Sequence, residues 1–200
     1  MLSPSAERNI QPITEKLTGL LSGRNGRLLE IGAGTGLHAA YLAKALPQIT
    51  WIPSDPAEVH RRSIDAWRAH LSPPNLKPAI ALDALTDWPK MPEIAETPLT
   101  AIFSANVIHI APWEVTLGII AGARHALEAS GLLIFYGPFK EAGAHTGEGN
   151  IRFDASLRAR DPSWGIRDID ALREEASGFS GPELHQMPSN NRLLVLRRSP

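Results

Sequence analysis

Leu28-Leu29-Glu30-Ile31-Gly32-Ala33-Gly34-Thr35-Gly36 decides how the rest of this chain is read. Its apolar opening is too short for two helical turns and has the character of a buried strand. Three glycines follow on alternate positions, and Leu37 to Leu46 is then a strong helix former closed by Pro47. Strand, glycine turn and helix open a nucleotide-binding βαβ unit, in which a missing Cβ lets a ligand touch the backbone. The start of the helix offers unpaired amides to the same ligand.

Upstream of that stretch, Met1 to Asn9 reads as a polar arm. Ile10, Ile13, Leu17, Leu20 and Leu21 then fall at helical spacing, with Asn9 a candidate N-cap and Pro12 in the tolerant first turn. Downstream, a second strand is predicted at Ile49–Pro53, a helix over Ala57–Leu71 with His60, Ile64, Trp67 and Leu71 on one face, and a third strand at Ala79–Leu82. A fourth strand covers Thr100–Ala105, a helix Trp113–Ala129, and a fifth strand Leu132–Tyr136. Beyond Gly137 the pattern weakens. It suggests a short helix near Phe153–Ala159, another over about Asp168–Ala176, and two closing strands at Leu184–Met187 and Arg192–Arg197. No internal repeat or linker interrupts the chain, so residues 1–200 are expected to form one domain, with an arm and helix over 1–22 and a substrate-side insertion over 137–182.

Strands alternating with helices imply an α/β fold, Rossmann-like, with a mostly parallel sheet covered on both faces. Ligands in such sheets sit at the carboxyl ends of the strands, near the point where strand order reverses. Asp55, Asp83, Asn106 and Tyr136 each fall at the end of a predicted strand. That coincidence defines the expected site.

Composition narrows the classes. The 200 residues are 43% hydrophobic and 20% charged, the balance of a soluble globular protein. A formal net charge of −1 gives no footprint for nucleic acid or an anionic membrane. There is no cysteine, hence no disulfide and no thiolate zinc site, and the seven histidines show no metal-ligand spacing. Without a signal-like or membrane-spanning run, the expected compartment is the cytoplasm and no metal or membrane partner is expected.

The turn itself discriminates between cofactors. A dinucleotide turn reads G-x-G-x-x-G, and here Gly32 and Gly34 match while Leu37 stands at the third position. No Gly-Lys-Ser/Thr follows, so it is not a P-loop. Glu30 would repel a phosphate and attract an ammonium group. Asp55, about 20 residues on, stands where an acidic side chain takes two ribose hydroxyls. Asp83 could orient an adenine amino group. An adenosine carrying an amino acid instead of a phosphate suits all three carboxylates.

On these residues the chain resembles the class I S-adenosylmethionine-dependent methyltransferases. More narrowly, Ser3–Asn9, Pro53-Ser54-Asp55-Pro56, Asn106-Val107-Ile108-His109-Ile110-Ala111-Pro112-Trp113, Tyr136-Gly137-Pro138-Phe139-Lys140 and Phe153–Asp168 resemble a methyltransferase-like family of bacteria and animals long carried as a domain of unknown function. The resemblance implies a seven-stranded sheet whose last strand is antiparallel, and S-adenosyl-L-methionine as methyl donor. It places Gly32, Ala33, Gly34 and Gly36 under the methionine part, Glu30 near its amino group, Asp55 at the ribose, Asp83 near the adenine, and Asn106 beside the sulfonium. It brings no established acceptor.

On the acceptor side, His109 is a candidate general base, against the alternative of a histidine that packs the helix start. Tyr136 is a candidate acceptor contact, against a rim aromatic with a wet hydroxyl. Arg8, Asn9, Trp113, Asn150, Arg158 and Trp164 are the further candidate acceptor residues. The arginines among Asp154, Asp161, Asp168 and Asp170 fit a salt-bridged lid or a clamp on a carboxylate. The favoured expectation is methyl transfer to a small molecule. A non-catalytic S-adenosylmethionine binder and an NAD-dependent oxidoreductase are its rivals.

Overall fold

The computed structural model describes Met1 and residues 4–200, with side chains given for Met1 and from residue 7 onward. Its first half runs α1 (Pro4–Leu20), β1 (Gly26–Ile31), α2 (Leu37–Ala45), β2 (Ile49–Ser54), α3 (Glu58–Leu71), α4 (Pro92–Ala95) and β3 (Leu99–Ala105). It continues with α5 (Trp113–Ala126), β4 (Leu127–Pro138), the small hairpin β5 (Lys140–Glu141) and β6 (Ala144–His145), α6 (Glu148–Arg160), α7 (Ile169–Glu175), β7 (Phe179–Gln186) and β8 (Asn191–Arg198). The main sheet has the order β2-β1-β3-β4-β8-β7. β1 pairs in parallel with β2 and β3, β3 with β4, and β8 alone is reversed between β4 and β7. Because β1 has β2 on one side and β3 on the other, strand order reverses over its carboxyl end, where a crevice opens.

The apolar runs are unbroken because both faces of the sheet are covered. Leu28, Trp51, Phe103, Ile134 and Val195 point to one side, packing on Ile13 and Leu17 of α1 and on Leu42 of α2. Leu29, Ile52, Ile102, Leu133 and Leu194 point to the other, packing on Ile119 and Ile120 of α5, Leu172 of α7 and Trp88. Alternate side chains of a strand leave opposite faces, so consecutive leucines serve opposite cores.

The seventh strand implied by the family resemblance is absent from this six-stranded sheet. Residues 75–80 do run beside β2. Trp51 N donates to Asn75 O at 2.9 Å, Lys77 N to Trp51 O at 2.8 Å, Ile80 N to Pro53 O at 3.0 Å and Asp55 N to Ile80 O at 3.1 Å. Pro53 has no N–H to offer this segment and Pro78 interrupts it, so only isolated bridges form, at Trp51–Leu76 and Ser54–Ile80.

Other boundaries also move. Helix α1 begins at Pro4, so Asn9 is interior to it and caps nothing. α5 ends at Ala126, because Leu127 is extended and buried against Leu99. α6 starts five residues before the expected Phe153, at Glu148. Among the described residues no helix is long and apolar enough to cross a membrane.

Candidate functional site

The quoted turn follows β1 directly. Gly32 takes φ +70°, a left-handed conformation, and a Cβ there would run into Val107 Cγ2. Gly36 takes φ +83° as the N-cap of α2, and a Cβ there would meet the backbone of Ile64 in α3. The turn is pinned by Ala33 N donating to Ser54 O at 2.9 Å and Gly34 N to Asp55 Oδ2 at 3.0 Å. α2 has no side-chain cap.

Over this turn lies a cleft of about 470 Å³. That is within the roughly 300–1,000 Å³ of small-molecule sites. Glu30, Gly32, Ala33, Gly34, Asp55, Asp83 and Asn106 all border it, drawn from the ends of β1, β2 and β3 and from the loop after residue 80. Gly36 does not; it serves the close approach of α2 to α3.

Glu30 is almost fully buried, and its Oε2 accepts from Trp51 Nε1 at 2.7 Å. Burial pushes its carboxyl up to about 7; the Trp51 hydrogen bond opposes this and the Asp55 charge adds to it. No ion pair to Glu30 forms among the described residues. A ligand ammonium is the group that would stabilise its ionised form. Asp55 takes Gly34 N on Oδ2, and on Oδ1 both Ala57 N at 2.9 Å and His60 Nδ1 at 3.0 Å. Asp83 is exposed and accepts from Leu85 N at 2.9 Å through Oδ1. Asn106 is left-handed at φ +63°, its N donating to Tyr136 O at 2.7 Å.

The chain matches the family described as "Protein of unknown function (DUF938)" over residues 1–198. It belongs to that family. Among solved structures, an O-methyltransferase family protein from Burkholderia thailandensis is similar at 13% identity and a TM-score of 0.78, over 98% of this chain and 57% of its own. Human N-acetylserotonin methyltransferase in complex with SAM is similar at 12% identity and 0.77, over 98% and 53%. The S-adenosylmethionine-dependent methyltransferase SibL in its apo form gives 19% and 0.77, over 98% and 56%. At such identities the likeness shows the fold, which is that of Rossmann-like methyltransferases. This DUF938 chain spans little more than half the length of those structures.

None of the expected acceptor residues is among those that line the cleft. His109 is fully buried, its ring edge-on to Phe139 at 5.1 Å between centroids and close to the Gly165 backbone. Burial, then the Arg167 charge, pulls it down to about 3. It is a neutral packing group, the alternative weighed above. Tyr136 is buried in the core under α1, and its hydroxyl accepts from Asn191 Nδ2 at 3.0 Å. Burial pushes it up to about 12, against that hydrogen bond. It is a core phenol instead of a rim aromatic. Arg8 is exposed and Asn9 half-buried on α1. Trp113 carries the Arg167 guanidinium 5.5 Å over its ring and Trp164 that of Arg160 at 5.0 Å. Asn150 Nδ2 donates to Thr146 Oγ1 at 2.9 Å and Asn190 O at 3.3 Å, and Arg158 Nε to Asp154 Oδ2 at 3.3 Å.

These contacts knit the 137–168 region together and tie it to Trp113 and to Asn190. Buried Asp154 accepts from Ile166 N at 2.7 Å and faces Lys140, His145 and Arg158. Burial works to raise its carboxyl, but the Ile166 amide, Lys140 and Arg158 together hold it below the usual range. Arg167 donates to the carbonyls of Ile108, Ala111 and Ser163 at 2.8, 2.6 and 2.9 Å, and so fixes the loop that carries Ile110 and Ala111 into the cleft wall. Arg167 is one of the arginines among Asp154, Asp161, Asp168 and Asp170, for which the sequence suggested a salt-bridged lid or a clamp on a carboxylate. Sequence reading passed over His60 and His38, both of which border the cleft. His60 stands half-exposed in the first turn of α3, five residues after Asp55, a spacing that could have flagged it.

Proposed function

We propose that this protein is an S-adenosylmethionine-dependent methyltransferase acting on a small-molecule acceptor. One observation carries the reading: an ammonium-seeking buried carboxyl, a left-handed glycine turn and two further aspartates share one cleft at the switch point of the sheet. A nicotinamide dinucleotide would bring a diphosphate against Glu30, which disfavours the oxidoreductase. Glu30 would receive the amino group, the Gly32–Gly34 backbone the methionine chain, Asp55 the ribose, and Asp83 the adenine edge. Asn106 would border the sulfur.

When bound, S-adenosylmethionine supplies a methyl group on a sulfonium, whose departure needs no proton. The protein's task is to hold the acceptor in line and keep water out. A general base is dispensable for acceptors that are already nucleophilic, and the buried, neutral state of His109 accords with that. Arg167 and Trp113 keep the loop after Asn106 in place, and with it one wall of the site.

A second reading is favoured by the packing on the acceptor side, where Gly165 N donates to His109 O at 2.9 Å and Ile166 is buried. A cofactor-binding module without transfer activity would need no opening there. The two readings part in one experiment: protein, methyl-labelled S-adenosylmethionine and fractionated small-molecule extract are incubated together. Label in a new small molecule supports transfer. Tight S-adenosylhomocysteine binding with no transfer to any fraction favours the module, and failure of either compound to bind overturns both.

A further inference from the structure

We infer that His60 is a second ribose-binding residue beside Asp55, its Nδ1–H holding the carboxylate and its Nε2 accepting one ribose hydroxyl. The inference rests on the methyltransferase reading and extends it. A carboxylate has about four places for donors. In Asp55, Oδ1 already takes Ala57 N and His60 Nδ1, and Oδ2 takes Gly34 N. One place is left, on Oδ2. A ribose presents two neighbouring hydroxyls, and each, on losing water, needs an acceptor. Asp55 alone can serve one.

The other acceptor is at hand. His60 borders the same cleft, its side chain is 38% exposed, and among the described residues its ring is engaged through Nδ1 alone. A hydrogen bond to a carboxylate requires the proton on Nδ1, so in the neutral ring Nε2 is an acceptor. The position is fixed from both ends. His60 N donates to Ala57 O at 3.1 Å in the first turn of α3, and Arg61 Nη1 donates to Asp55 O at 3.0 Å and Pro56 O, tying that turn to the end of β2. The histidine thus does two things at once. It fills a place on Asp55 that a hydroxyl would otherwise take, and it offers its own lone pair instead.

The test uses the full chain at pH 8, with S-adenosylhomocysteine and its 2′,3′-dideoxy analogue as probes, read by calorimetry. His60→Asn keeps a donor where Nδ1 stands and removes the ring acceptor; His60→Ala removes both. The expected result is a tenfold or greater loss of S-adenosylhomocysteine affinity in both variants, with the dideoxy analogue bound about as in the wild type. Full affinity in His60→Asn shows that the ring only positions Asp55, and overturns the inference. Equal losses for both probes show a general distortion of the cleft, and overturn it too. Thermal melts of each variant identify any loss of fold. Wild-type protein that binds neither probe removes the methyltransferase reading itself, an outcome distinct from a wild type that binds while the variants match it.

Discussion

Glu30 has conflicting duties at the scale of the single residue. Its carboxyl is pushed up to about 7 in the folded chain from 4.5, so between those values the folded state holds a proton that the unfolded state has released. Its contribution to stability is complete below pH 4.5 and is lost as pH rises through about 7, an effect of about 3 kcal/mol. His109 works in the opposite sense: held neutral down to about 3 against 6.5 unfolded, it contributes stability that is lost as pH falls through that interval. Because the two windows overlap, the comparison that isolates Glu30 is between the wild type and Glu30→Gln. The amide oxygen still accepts from Trp51 Nε1. Urea unfolding at pH 5 and pH 8 is expected to show the variant gaining on the wild type by up to about 3 kcal/mol at the higher pH. Function runs the other way. Wild-type affinity for S-adenosylhomocysteine is expected to rise from pH 6 to pH 8 as its ammonium draws the proton off Glu30, and Glu30→Gln is expected to bind weakly with no such rise. A pH-independent wild type would remove the ammonium assignment.

Glycine placement makes testable distinctions between elements. On α5, a Cβ at Gly118 would strike Ala84 O, in the loop that carries Asp83 to the cleft. Gly118→Ala is expected to cost about 1–3 kcal/mol through overpacking. It should also weaken cofactor binding more than an equally destabilising change remote from the cleft, as denaturant unfolding and calorimetry together would show. Gly19 on α1 has nothing within 4 Å of its would-be Cβ, so Gly19→Ala should stabilise by about 0.5–1 kcal/mol and leave binding alone. Elements also differ in how far they could be read in advance. The run from Leu28 to Leu46 was legible because its apolar strand, glycines and helix formers agree. α6 was half hidden because its buried face includes Asn150 and Asp154 beside Leu157, polar residues at helical spacing that carry no hydrophobic period. The residues gathered at the cleft stand at or just after strand ends, which sequence can mark. The burial of His109 and Tyr136 depends on where Phe139, Gly165 and Asn191 come to lie, and local sequence does not carry that.

For the molecule as a whole, the cleft belongs to the folded state alone, so its ligand should act on global stability. At a hundredfold excess over its dissociation constant, a ligand adds about 2.7 kcal/mol. For a chain of this size that corresponds to a Tm rise of about 5–10 °C. S-adenosylhomocysteine is expected to produce it and NAD at the same concentration is not; the reverse ranking would restore the oxidoreductase. Beyond β2 the segment around residue 78 is the outermost layer of backbone on that side, and Pro78 has no amide hydrogen while Ala79 N is taken by Asp65 Oδ1 at 3.1 Å. A foreign strand approaching there finds the donors it would zip onto already missing or claimed. The two prolines that deny the fold its seventh strand thereby leave that one margin of the sheet poorly suited to pairing with the same margin of another copy.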